Sequence, residues 1–198
     1  TGVQTCALPI SAAKVYGIPE TEVTKEQRYN AKTINFGVLY GMSAHGLTVA
    51  TGMTHEESVA FIARYFEVRP KLKQYIEDTK AFARKHEYTA TLLGRKRPCP
   101  EINSKNHMIS SAAERVAVNV PIQGTAADIY KLAMINVVPK LDEDTHLLLQ
   151  IHDELIVETD KDKADKVAKI LKETMEEAYD LGVPLAVDTD SGKNWGEL

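Results

Sequence analysis

The apolar residues Ala31, Ile34 and Val38 are spaced so that a helix gathers them on one face. Arg28, Lys32, Phe36 and Tyr40 recur at every fourth position; four residues advance only about 40° around a helix, so these side chains share one arc about 120° wide. The segment RYNAKTINFGVLYG, residues 28–41, therefore predicts a two-faced helix. One face can dock on a core, and the other is a stripe of two cations followed by two aromatics. Thr24 with Gln27 reads as a capping box that starts the helix, and Gly41 as the left-handed residue that ends it. Gly37, inside it, costs roughly 1 kcal/mol relative to Ala, which points to close approach by a backbone or a ligand.

Thr54 with Glu57 is a second capping box, opening a helix that runs to Phe66. Another helix follows Pro70, with Leu72, Tyr75, Ile76, Thr79 and either Phe82 or Ala83 facing inward. Residues 88–100 read as a short β element with a cationic tip, Gly94-Arg95-Lys96-Arg97, which is a phosphate contact or a solvated turn. From Ser104 the pattern is helical to Asn119, breaks at Pro121 and resumes from Gln123 to Val138, with Ile129, Leu132, Ala133 and Val137 inward. In LLLQIHDELIVE, residues 147–158, two β-prone runs flank His152-Asp153, as an antiparallel hairpin with a two-residue turn requires. Residues 160–181 form an amphipathic helix of alternating lysines and acids, and the chain ends in NWGEL. The fold class is α+β. No repeat, low-complexity tract or linker marks an internal boundary.

Hydrophobic content of 43% with 26% charged residues is ordinary for a globular protein of 198 residues. No apolar run is long enough to span a membrane and no secretory leader is evident, so a cytoplasmic location is expected. Residues 1–10, TGVQTCALPI, resemble a translated short-read sequencing adapter and are expected to be non-native. With Cys6 set aside, Cys99 remains alone, which leaves neither a disulfide framework nor a thiolate metal site. The net charge of -4 disfavours nucleic acid mildly, but it is unevenly spread. Residues 84–115 hold seven Lys/Arg against three acids, and residues 141–180 hold thirteen acids against five lysines. A basic middle can grip phosphates while an acidic end is solvated or supplies metal ligands.

Arg28 and Lys32 are either solvated charges backed by core aromatics, or a grip on nucleotide phosphates with Phe36 and Tyr40 offering flat faces to sugar and base. Arg115, Asn119 and Gln123 also step by four; they suit sugar and base edges in a minor groove, or buried capping. Asp153 is either a turn residue held by local hydrogen bonds or part of a titratable cluster, His152-Asp153-Glu154, whose burial between apolar strands would need a cation or substrate.

Arg28, Lys32, Phe36 and Tyr40-Gly41, followed by Gln150-Ile151-His152-Asp153-Glu154 between apolar strands, resemble motifs B and C of the family A DNA polymerases, the DNA polymerase I type. The resemblance covers Ser11 to Leu198 and includes GVLYGMSAHGL, the Gly94-Arg95 hairpin, ERVAVNVPIQGTAADI and Asn194-Trp195-Gly196. Single-subunit RNA polymerases share the Arg, Lys and Tyr-Gly but lack this Phe and carry a different residue after His-Asp.

The resemblance implies a helix-rich fingers subdomain over residues 11–100 joined to the C-terminal part of a palm over residues 101–198, both parts of one polymerase domain. It implies template-directed addition of deoxynucleoside triphosphates to a primer, in replication and repair. Arg28 and Lys32 would hold the β- and γ-phosphates, with Lys32 also near the reacting α-phosphate. Phe36 would pack on the sugar, Tyr40 would stack at the templating position, and Gly41 would let the helix end bend. Arg115, Asn119, Gln123 and His152 would contact primer-template DNA. Asp153 would bind metal in a site of two Mg²⁺ ions about 4 Å apart, with Glu154 as a secondary acid. A monomer is expected. The family's motif A, which carries the other principal metal-binding Asp, is not in this sequence, nor are the thumb or an exonuclease domain. The chain is thus expected to be truncated upstream and inactive alone. A nucleic-acid-binding module with this fold but no chemistry is the alternative.

Overall fold

The computed structural model describes residue 13 and residues 18–197, with only the backbone of Glu26, Asn30 and Thr33. The adapter-like prefix and Cys6 lie outside the described residues. Those residues fall into two compact units, one ending at Ile122 and the other starting at Gln123. No helix among them is long and apolar enough to cross a membrane.

The first unit begins with α1, Lys25–Leu39, α2, Ala44–Thr51, and α3, His55–Glu67. Both expected capping boxes form. The Thr24 hydroxyl accepts from Gln27 N at 3.1 Å, and Thr54 N donates to the Glu57 carboxylate at 2.8 Å. The hydrogen bonds from the Thr54 backbone and side chain hold the Glu57 carboxyl below its usual range. Ala31, Ile34 and Val38 are buried as their spacing predicts; Ile34 and Val38 form a core with Leu47 of α2 and Tyr65 of α3. Pro70 opens α4, Pro70–His86, at the first helical position, where its missing N–H loses nothing.

The expected β element is a two-stranded antiparallel sheet of β1, Tyr88–Ala90, and β2, Lys96–Pro98. Lys96 and Arg97 belong to β2, and the turn before them holds Gly94 at φ +87. Then α5, His107–Asn119, packs on α4 through small residues, with Ala83, Cys99, Ile102, Ala113 and Ala117 in one buried cluster. The helix starts later than Ser104 because residues 100–103 form a 3-10 turn and Asn106 becomes the cap, accepting from Met108 N.

At Pro121 the helical path widens instead of breaking. Val120–Gly124 forms a π turn that passes into α6, Thr125–Val137. Pro121 cannot donate to the Ala117 carbonyl, four residues back, and that carbonyl accepts the buried Thr89 hydroxyl at 3.1 Å. The next carbonyl, of Val118, accepts from Tyr75 Oη at 3.4 Å. Two side chains thus satisfy the backbone groups that the proline and the π turn release.

In the second unit α6 packs on α7, Ala164–Glu176, and β3, His146–Ile151, pairs antiparallel with β4, Glu154–Glu158. The helix α7 is shorter than the pattern over residues 160–181. Lys161–Lys163 form a 3-10 turn, and Lys163 is bound by Asp142 at 3.2 Å and Asp144 at 2.9 Å. The described chain after α7 has no further helix or strand until the 3-10 turn Trp195–Glu197.

Candidate nucleotide and metal sites

The stripe on α1 is formed, and its solvent side is open. Lys32 is exposed, Arg28 and Tyr40 are half-buried, and Phe36 is 39% exposed while Ile34, two residues before it, is 1% exposed. Phe36 is therefore not a core residue. Its ring stacks on that of Tyr40, with centroids 6.2 Å apart and planes 26° from parallel. Two cations and a stacked aromatic pair along one open helix edge can hold phosphates at one end and a flat ring at the other.

The end of α1 is equally specified. Gly41 has φ +81, its N–H donates to the Val38 carbonyl at 3.1 Å, and Met42 N donates to the Gly37 carbonyl at 2.7 Å. This is a Schellman ending, in which the residue after the left-handed glycine packs back on the last turn. That residue is Met42, and its methyl carbon lies only 2.5 Å from where a Cβ on Gly37 would sit. The close approach at Gly37, among the described residues, is made by the Met42 side chain. Gly41 has a second constraint, since a Cβ there would fall 2.9 Å from Arg115 Cγ. Arg115 thus packs its stem on the glycine that ends α1. A cavity of about 310 Å³ opens beside them, lined by Gly41, Met42, Lys80, Glu114 and Arg115 among others. Glu114 is paired with Lys80 at 3.3 Å and with Arg84. Asn119, at the end of α5, has a buried carboxamide oxygen without a partner.

In the second unit His152-Asp153 forms the expected two-residue turn, with Ile151 paired to Glu154 and His152 at φ +50. Gln150 Nε2 donates to the His152 carbonyl at 2.9 Å. His152, Asp153 and Glu154 are all exposed, so the expected cost of burying this cluster does not arise. The strands around it are not closed over either: β3 bulges at Leu148, which with Leu149 is about half exposed, at 50% and 46%.

The residue that periodicity missed is Tyr130, on α6. Burial, then the charges of Asp153 and Glu154, push its phenol up to about 12, and its buried hydroxyl has no hydrogen-bond partner. A tyrosine on an apolar helix that must place its hydroxyl was the available signal. Asp153 and Glu154 supply the hard oxygen ligands that Mg²⁺ prefers. No group of three His, Cys, Asp or Glu among the described residues is arranged to hold a metal, so the acid pair fits part of such a site. Gln123 lies in the π turn, so the uninterrupted α spacing from Arg115 and Asn119 does not extend to it.

The model of DNA polymerase family A matches residues 9–197. The chain belongs to that family. It is 47% identical over 186 residues to the thermostable DNA polymerase I of Thermus thermophilus, covering 93% of this chain and 22% of that protein. It is 49% identical over 186 residues to DNA polymerase I of Deinococcus radiodurans, of which it covers 20%. The chain thus spans about a fifth of the length of these relatives. Among solved structures, the POL domain of Pol1 from M. smegmatis, in complex with DNA primer-template and dNTP, superposes with a TM-score of 0.85 at 39% identity. That match covers 89% of this chain and 32% of the other.

Proposed function

We propose that this chain carries the nucleotide-gripping helix and a metal-binding carboxylate of a DNA-directed DNA polymerase, acting on deoxynucleoside triphosphates and primer-template DNA. The observation that carries the reading is the stripe of α1, with Lys32 and Phe36 exposed and Arg28 and Tyr40 half-buried, while Ala31, Ile34 and Val38 on the opposite arc are buried. In this reading residues 11–100 serve as fingers and 101–198 as the C-terminal part of the palm, a division by role.

Arg28 and Lys32 bind the β- and γ-phosphates, and Lys32 neutralises charge that grows on the leaving pyrophosphate. Phe36 packs on the sugar and Tyr40 stacks where the templating base arrives. Gly41, free of side chain, lets the helix end pivot against Arg115. Arg115, Asn119, Gln123 and His152 read the duplex by shape along its minor groove. Two Mg²⁺ ions, when bound, would favour the attacking 3′-oxygen and the leaving oxygen. Asp153 would supply one of the carboxylates that hold them, with Glu154 as auxiliary. A single acid pair cannot hold two ions in line, so the 198-residue chain alone should not extend a primer.

The test replaces the matching segment of the Deinococcus radiodurans enzyme with residues 11–198 and measures primer extension. Lys32→Ala in that chimera should lower kcat/KM about ten- to a hundredfold, with both kcat and KM affected, because the ammonium meets charge before and during transfer. A chimera that binds DNA and triphosphate yet never extends would favour a binding module without chemistry.

A further inference from the structure

The last turn of α4 and the β1–β2 hairpin share a surface that the proposed nucleotide and metal sites leave unused. Phe82 is 42% exposed although its neighbour Ala83 is fully buried, so the core does not need its ring. The ring lies 4.4 Å from that of His86 and meets Tyr88 edge-on at 5.4 Å. Lys96 Nζ sits 4.5 Å above the Tyr88 ring. Lys85 joins Phe82 and His86 on one helix face by its spacing. Neither Lys85 nor Lys96 has a carboxylate partner among the described residues. Basic residues in a last helical turn often only offset the helix dipole. That accounts for Lys85 and His86, but not for an exposed aromatic beside them or a strand lysine held over a ring.

We propose that this surface is a docking site for single-stranded nucleic acid. Bases stack on the Phe82–His86 pair and phosphates lie against Lys85 and Lys96. The exposed part of the Phe82–His86 pair can take the flat face of an unpaired base, which a duplex hides within its stack. The two lysines complement the charge of the strand, and the site needs neither triphosphate nor metal.

The experiment titrates labelled oligothymidylate with the 198-residue chain, without Mg²⁺ or nucleotide, and follows fluorescence anisotropy. Phe82→Ala should weaken binding about tenfold. The double variant Lys85→Ala/Lys96→Ala should flatten the slope of log affinity against log salt by about 1.4. Phe82→Trp keeps a stacking ring; it should bind like the parent, and its emission should be quenched by the bound strand. Blunt duplex binding should be unchanged by all three. Absence of binding, an unchanged affinity for Phe82→Ala, an unquenched Trp, or equal losses on duplex would each overturn the proposal. None of these results bears on α1, which the extension assay with Lys32→Ala reads separately.

Discussion

The two candidate sites are held in opposite ways. On α1 every stripe residue is aimed by what lies behind it: Ala31, Ile34 and Val38 are each at most 2% exposed, a capping box fixes the start and a Schellman turn fixes the end. Asp153 sits in a two-residue turn and Glu154 opens β4, on strands that are partly exposed and bulged, and among the described residues Asp153 makes none of the local hydrogen bonds that usually explain an aspartate in a turn. A helix with a buried back can hold phosphate-binding side chains ready before any ligand arrives. In the proposed reading an exposed acid pair would gain its order from a bound ion, so the same substitution strategy should give opposite signatures in the two regions.

The largest effect is expected at the hairpin. Asp153→Ala in the chimera should reduce turnover at least about a thousandfold while DNA affinity and thermal stability stay near the parent's, since in the proposed role the carboxylate acts in the transition state and it is exposed in the fold. Retention of a tenth of the activity would remove Asp153 from the metal site.

Behind the stripe, Ile34→Ala should instead lower stability by about 2–5 kcal/mol, readable as a fall in denaturation midpoint, because a 1% exposed side chain leaves a cavity. If unfolding were unaffected, the claim that the back face aims the stripe would fail.

The smallest effect is expected at Tyr130. Removing an unpartnered buried hydroxyl relieves an unmet hydrogen bond, so Tyr130→Phe should be neutral or stabilising by about 1 kcal/mol. The sign with pH follows from a phenol raised from 10.0 to about 12. Its contribution is fully present below pH 10.0 and is lost as pH rises through about 12, because the unfolded chain ionises first. The Phe variant should therefore show a shallower alkaline loss of stability in melts across that window.

What could be read in the sequence was what local chemistry decides. Thr24 and Thr54 with their N3 partners, Pro70 at a helix start, Gly41 past a helix end and the two residues of the His152-Asp153 turn act within a few positions of themselves. The π turn at Pro121 could not be read, since it depends on hydroxyls from Thr89 and Tyr75 arriving from distant elements. The choice between Phe82 and Ala83 was equally non-local: close α4–α5 packing admits only the smaller residue. The end of α7 short of residue 181 has no account in the local pattern, which stays amphipathic to the end. At the candidate sites, spacing alone found the stripe. It could not say which of its aromatics reached solvent, and it passed over Tyr130, whose neighbours come from another element.

The central claim is that Phe36 faces the sugar of the incoming nucleotide. A phenyl ring packs there but donates no hydrogen bond, so a nucleotide lacking its 3′-hydroxyl leaves that part of the pocket without a polar partner. In Phe36→Tyr the new hydroxyl would stand where the missing one had been and reach the triphosphate oxygens, a hydrogen bond to a charged group worth about 1.5–3 kcal/mol. The measurement is the ratio of kcat/KM for deoxy- and dideoxynucleotides in the chimera and its Phe36→Tyr variant. The account predicts that discrimination falls about ten- to a hundredfold with deoxynucleotide incorporation nearly unchanged. An unchanged ratio would place Phe36 away from the sugar and contradict the reading of the whole stripe.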